Sequence, residues 1–297
     1  MSDEKEGTRR DVDREALRPL VTPVSLPEGA ILMEKARALE ELFIERFETK
    51  AGKLKKLGNP LDKKVYAASE RERDHVKRNK AGYVIELMKR HKVYERELLD
   101  VLPLEETSEL HVYTKPLFGR KDVKVSVAAL ALSPLEAFVT KKCATAKLGA
   151  LDLERAVREV CMHDDVFYYV GILSTVGWEP GAGRHLPSAP NVLACLVENQ
   201  GGTHWTIERR DDKRWNDVHR LFDPETDREK VERAKRYLTS HPELRLRGGF
   251  LVLKQAEEEV AVPGDLFRQA VDEVCADDAE VSLQTVGGKE IIKRRRL

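Results

Sequence analysis

Apolar residues recur at helical spacing from Ile31 onward. Leu32, Ala36, Leu39, Phe43 and Phe47 follow at steps of four, three, four and four, which predicts an amphipathic helix over 31–48. Gly52 and the Gly58-Asn59-Pro60 cluster end that element. Ser69 and Glu72 have the spacing of a capping box, in which each side chain satisfies an otherwise orphaned backbone N–H. Val76, Val84, Leu87 and Met88 then supply an apolar face, so a second helix is expected over about 70–91. Tyr94 to Leu102 reads as a short third helix stopped by Pro103. Helices joined by so short a turn resemble the front of a helix-turn-helix unit.

Beyond Pro103 the period shifts toward two. Leu110–Thr114 and Val123–Leu132, with Gly119 between them, predict a hairpin. Further strands are expected at Val166–Leu173, Val192–Glu198, Thr203–Arg209, Gly249–Leu253, Val281–Thr285 and Glu290–Lys293. Asn199-Gln200-Gly201-Gly202 and Gly287-Gly288 tolerate the positive φ that tight hairpins require. Helices are expected between the strands at Ser133–Lys142, Asp152–Cys161, Asp227–Leu238 and Asp265–Cys275.

One internal echo stands out. Ala156-Val157-Arg158-Glu159-Val160-Cys161 returns as Ala270-Val271-Asp272-Glu273-Val274-Cys275, and each copy is followed by an Asp pair and later by Thr-Val-Gly. Both copies carry a core-facing stripe. They suggest a helix–strand unit used twice, over 152–177 and 264–288, and a helix closed by a hairpin is also how a winged-helix module ends. The expected fold class is therefore α+β. It comprises a charged tail over 1–28, a basic helical region over 29–103, and a mixed region of hairpins and helices over 104–297.

Composition narrows the class. Apolar residues make up 41% of the chain, enough for a folded core, and charged residues make up 35%, so much of the surface is charged helix and loop. No apolar run reaches the ~18 residues of a spanning helix. The amino-terminal stretch has no apolar core of a secretory signal, so a cytoplasmic location is expected. The overall charge is balanced, 52 Lys+Arg against 52 Asp+Glu, but its distribution is not. Residues 46–92 hold 15 cations and six acids, an excess of 15 − 6 = +9.

On the expected second helix Arg73, Lys77 and Lys80 fall at i, i+4 and i+7, a continuous basic strip. Lys53, Lys55, Lys56, Lys63 and Lys64 precede it, Arg78, Lys89 and Arg90 share its helix, and Lys293-Arg294-Arg295-Arg296 follow the last hairpin. Like charges at this density repel across one helical turn, which favours a polyanion that relieves the strain. These residues are the expected contacts to a nucleic-acid phosphate backbone.

Catalytic signals are sparse. Cys143, Cys161, Cys195 and Cys275 form no CxxC pair, sit among apolar neighbours and are expected to be reduced and buried. Cys161-Met162-His163-Asp164-Asp165 gathers metal-ligand types, yet its echo at Cys275 lacks the histidine. Cys195 and His204 flank a hairpin and are the residue types of a thiolate nucleophile. The glycine-rich stretch Gly171–His185 runs into prolines rather than a helix, so it reads as a surface loop rather than a phosphate cradle.

The leading expectation is a non-enzymatic, nucleic-acid-associated regulatory or accessory protein with no catalytic residue, metal or cofactor. A protein-interaction module is the alternative: helix 31–48 would meet a partner or a second copy, and the basic strip would meet an acidic protein surface. A hydrolase with a Cys/His or metal site near the 174–204 loop is the third reading.

Overall fold

The computed structural model of the chain describes residues 26–93, 95–114 and 121–295. Most of the tail expected over 1–28 therefore lies outside the described residues, as does Arg296. Strand β1 (Ile31–Leu32) runs into helix α1 (Met33–Ala51). A hairpin of β2 (Lys56–Asn59) and β3 (Lys64–Ala67) follows, then β4 (Arg73–Arg78), α2 (Ala81–Arg90) and the single turn α3 (Leu98–Val101). The strands β5 (Thr107–Thr114) and β6 (Asp122–Leu132) lead to α4 (Leu135–Lys141), β7 (Cys143–Ala144), α5 (Ala150–Val160) and β8 (Phe167–Ser174). β9 (Val192–Gly201) and β10 (His204–Arg209) come next. The chain closes with α6 (Asp227–Ser240), α7 (Pro242–Arg245), β11 (Phe250–Val252), α8 (Leu253–Val260), α9 (Gly264–Asp277), β12 (Val281–Val286) and β13 (Lys289–Arg294).

The frame is a six-stranded sheet in the order β10-β9-β8-β6-β5-β4. β4, β5 and β6 form an antiparallel meander, β6, β8 and β9 run parallel, and β10 returns antiparallel. Parallel strands with both faces covered read as continuous apolar runs, which is why β8 is buried at every position. Alternation divides β6 between two cores. Val127, Ala129 and Ala131 face Phe43 and Phe47 of α1, with Tyr169, Trp215 and Phe222, while Ala128, Leu130 and Leu132 face Leu153 and Ala156 of α5. Gly171 in β8 is required by this packing, because a Cβ there would lie 2.2 Å from the Phe222 ring.

A third core gathers Val231, Ala234, Leu238, Phe267, Ala270, Val274 and Ile292 of the carboxy-terminal elements, whose sheet has the order β11-β13-β12. Thr226 opens α6 with a capping box completed by Glu229.

The mixed α/β class agrees with expectation, and so do the β5–β6 and β9–β10 hairpins, the final hairpin and the helices α4, α5, α6 and α9; α7 and α8 are additions to the expected helices. The amino-terminal third does not. Residues 29–103 are not all helical: they contain the β2–β3 hairpin, and β4 occupies the first half of the expected second helix. Ser69 and Glu72 do meet, side chain to side chain, but they close a turn. The chain then extends because six consecutive residues of β4 pair with β5, Arg73↔Val112 through Arg78↔Thr107. The third helix shrinks to four residues.

The two echoed segments also diverge. α5 feeds a buried strand of the parallel sheet, whereas α9 feeds an antiparallel hairpin, so the echo is one of helix stripes and not of a folded repeat. Finally, α1 turns its apolar stripe onto its own sheet, so that face is not open to a second copy.

Candidate nucleic-acid interface

The anticipated strip of Arg73, Lys77 and Lys80 is not a strip. Arg73 and Lys77 lie on the side of β4 that faces α1. There Arg73 Nη1 donates to the carbonyl of Gly52 at 3.1 Å, and Lys77 Nζ meets Glu48 at 2.6 Å. Arg78, on the opposite side, is bound to the buried carboxylate of Glu109. Lys80, just beyond the strand, bridges Glu105 at 2.8 Å and Glu159 at 3.0 Å. Burial disfavours its charge, but those two carboxylates outweigh burial and hold its pKa above the ordinary lysine value. Each of the four cations already has a partner inside the fold.

The lysines just upstream do not. Lys53, Lys55, Lys56, Lys63 and Lys64 are exposed and have no ion-pair partner among the described residues. Their ribbon is anchored from beneath. Leu57 is buried in the α1-side core, Asn59 Nδ2 donates to the carbonyl of Lys124 at 2.9 Å, and Tyr169 Oη donates to the carbonyl of Gly58 at 3.2 Å. Burial acts to raise the pKa of the ribbon's acid, Asp62, but the Tyr66 hydroxyl, the Lys64 backbone N–H and the charges of Lys64 and Lys124 together hold it below the usual value. Residues 53–67 thus carry 5 − 1 = +4 on a rigidly held hairpin.

Lys89 and Arg90 are exposed in the last turn of α2, favourably placed against its helix dipole, and are unpaired among the described residues. At the carboxy terminus Arg294 turns inward to Asp278 and Glu280, both at 3.0 Å. Lys293 and Arg295 have no such partners among the described residues.

The catalytic candidates are not assembled. Cys195 pairs in register with Arg209, while His204 pairs with Gly201 at the far end of the ladder. Five strand residues, ~17 Å, separate the two positions. Complete burial pushes the Cys195 thiol well up, away from thiolate chemistry. Burial likewise raises Cys161 to about 12, and His163, Asp164 and Asp165 beside it are exposed. No group of three or more His, Cys, Asp or Glu side chains among the described residues is disposed to hold a metal ion. The 174–190 loop bridges β8 to β9 and contains one turn of 3-10 helix at Ala182–His185.

Two constellations escaped the sequence reading because their members are far apart in the chain. Ser108 Oγ donates to Glu48 at 3.0 Å and accepts from His75 Nε2 at 2.6 Å. A serine nucleophile needs its proton directed at the imidazole, and Ser108 is fully buried, so this is a structural tie between α1 and the sheet. The second lies at the carboxyl end of the parallel strand β6, a position where α/β sheets often bind ligands. A cleft of about 670 Å³ is lined there by Lys80, Tyr83, Glu105, Ser133, Arg155 and Glu159. Beneath it Glu40, fully buried on α1, accepts N–H bonds from Leu104, Glu105 and Glu106 and pairs with Arg37 at 3.1 Å. Burial raises Glu40 to about 7 despite those donors. Lys80 and Arg155 answer Glu105, so the floor is a self-satisfied network rather than a set of groups awaiting a ligand.

No family model matches the chain, and neither the curated proteins nor the solved structures contain a significant match to it.

Proposed function

We propose that the chain is a nucleic-acid-associated regulatory or accessory protein that grips the phosphate backbone with the β2–β3 hairpin. One observation carries the reading: five exposed lysines sit on a ribbon fixed to the core, with no carboxylate paired to any of them among the described residues. Lysine is a flexible point charge, suited to phosphate contact and poor at reading bases, so the binding is indifferent to sequence. A two-stranded ribbon is also narrow enough to enter the ~12 Å major groove.

The carboxy-terminal elements run α6, α7, β11, α8, α9 and the β12–β13 hairpin, and the winged-helix resemblance expected from the sequence is not confirmed. α9, the helix such a module would set in a groove, exposes Asp265, Asp272 and Asp277, and its Arg268 is already paired with Glu290. That helix would repel phosphate, so the reading rests on the hairpin.

Binding of a labelled random-sequence duplex, followed by anisotropy across a salt series, tests it. The triple change Lys56→Glu, Lys63→Glu, Lys64→Glu should weaken binding at least tenfold and flatten log K against log salt by roughly three. Lys77→Glu should leave both unchanged. Salt-insensitive binding, or a triple variant that binds like the wild type, would discard the proposal.

A further inference from the structure

Phe250 is 52% exposed, on the edge strand of the carboxy-terminal sheet. Its neighbour Leu251 packs into the core with Ile292 and Leu283, so alternation sets Phe250 on the opposite side, which is covered at Ile291 and open at Phe250. Across the ladder its partner on that side is Lys293, and Arg295, two residues further, continues the same side. Arg294 between them points inward to Asp278 and Glu280. Alternation thus separates one structural arginine from two cations without an ion-pair partner among the described residues.

The end of α7 and the turn before β11 add Arg245, Leu246 and Arg247, all exposed. The turn is tied to this edge by Gly249 N–H donating to the carbonyl of Leu246 and Arg294 N–H donating to the carbonyl of Gly249, both at 3.0 Å. Arg245, Arg247, Lys293 and Arg295 have no ion-pair partner among the described residues.

A single exposed apolar side chain needs no explanation. An exposed ring paired in register with Lys293, with Arg295 following on that strand and Arg245 and Arg247 just upstream in the chain, is different, because a ring and cations match the two halves of a nucleotide. The geometry points to a binding site for single-stranded nucleic acid on this sheet face, with a base stacked on Phe250 and the flanking phosphates held by the four cations. An acidic protein segment would also neutralise the charge, but anchoring it calls for an apolar pocket. Neither Phe250 nor Leu246 is among the residues that line the cleft beside Lys80 and Glu105. A duplex offers no unstacked base. The site is therefore distinct in place and ligand from the β2–β3 hairpin, and stands or falls without it.

The probe is labelled oligothymidylate, compared with a duplex of equal length. Phe250→Ala should bind the single strand roughly tenfold more weakly. Phe250→Trp should retain binding, and its indole emission should be quenched by the oligonucleotide; Trp178, Trp205 and Trp215 are all buried and give a quiet background. Arg245→Glu with Arg247→Glu should weaken binding and flatten its salt dependence by about 1–2. Wild-type affinity in Phe250→Ala, an unquenched Phe250→Trp, or equal competition by polyglutamate would each overturn the assignment, the last by showing a protein-facing surface.

Discussion

Residues 53–64 and 73–80 are similarly dense in cations, and the fold treats them in opposite ways. The second segment forms an edge strand hydrogen-bonded to β5, which brings its side chains within reach of Glu48 on α1, Glu109 on β5, and Glu105 and Glu159 at the sheet's end. The first forms a ribbon whose single acid, Asp62, is engaged by Tyr66 and the Lys64 backbone. Local charge density therefore does not establish an accessible basic surface. What decides is whether the elements packed against each cation carry carboxylates.

The sharpest break between internal and external charge lies at Glu40, beneath the Lys80 network. Its carboxyl is raised from 4.5 to about 7 by burial. Between those values the native state keeps a proton that the unfolded chain has lost. Stability from this group is therefore complete below pH ~4.5 and falls as pH rises through 7, by at most about 3 kcal/mol. Urea titrations across this range should show that decline in the wild type and its loss in Glu40→Gln; parallel pH profiles would contradict it.

Next in size is Lys80 itself. Lys80→Ala leaves Glu105, 4% exposed, facing, among the described residues, only Arg155 at 3.9 Å and the Ser133 N–H. The loss should be about 2–3 kcal/mol, below the full cost of stranding a buried charge because those two groups remain. Lys56→Ala and Lys63→Ala, on the open ribbon, should each stay within about 0.5 kcal/mol. Urea midpoints that failed to separate Lys80 from the ribbon lysines would erase the contrast.

How much of this was legible in the sequence follows from where each signal comes from. β6, β8 and β9 declare themselves because burial on both faces demands uninterrupted Val, Leu, Ile and Ala. α5 and α9 do so through stripes at helical spacing. β4 has one apolar residue in six, Val76, since an edge strand with polar side chains on both faces needs no alternation. The Ser69–Glu72 contact then read as a helix start, because the same side-chain pair also closes a turn. The ribbon was hidden among lysines: only Leu57 and Asn59 of β2 are buried.

The exposure of its five lysines is nevertheless legible, since exposure needs no partner and so is readable locally. The pairings that removed Arg73, Lys77, Arg78 and Lys80 join residues 25 to 79 positions apart, or extend over 21 positions to a helix end. No window of sequence contains them.

The smallest effect is the most discriminating, because it concerns a cation that is paired yet still in water. Lys77 is 62% exposed, and Glu48 also accepts from Ser108, so the Lys77–Glu48 contact is neither desolvated nor the carboxylate's sole partner. Surface pairs of this kind are worth roughly 0.2–1 kcal/mol and weaken with salt. Lys77→Ala should therefore cost about 0.3 kcal/mol in dilute buffer and nothing measurable at ~1 M salt, where the Debye length falls to ~3 Å. If it instead weakened duplex binding as strongly as a ribbon substitution, pairing would not withdraw a cation from phosphate, and the distinction between the two segments would rest on position alone.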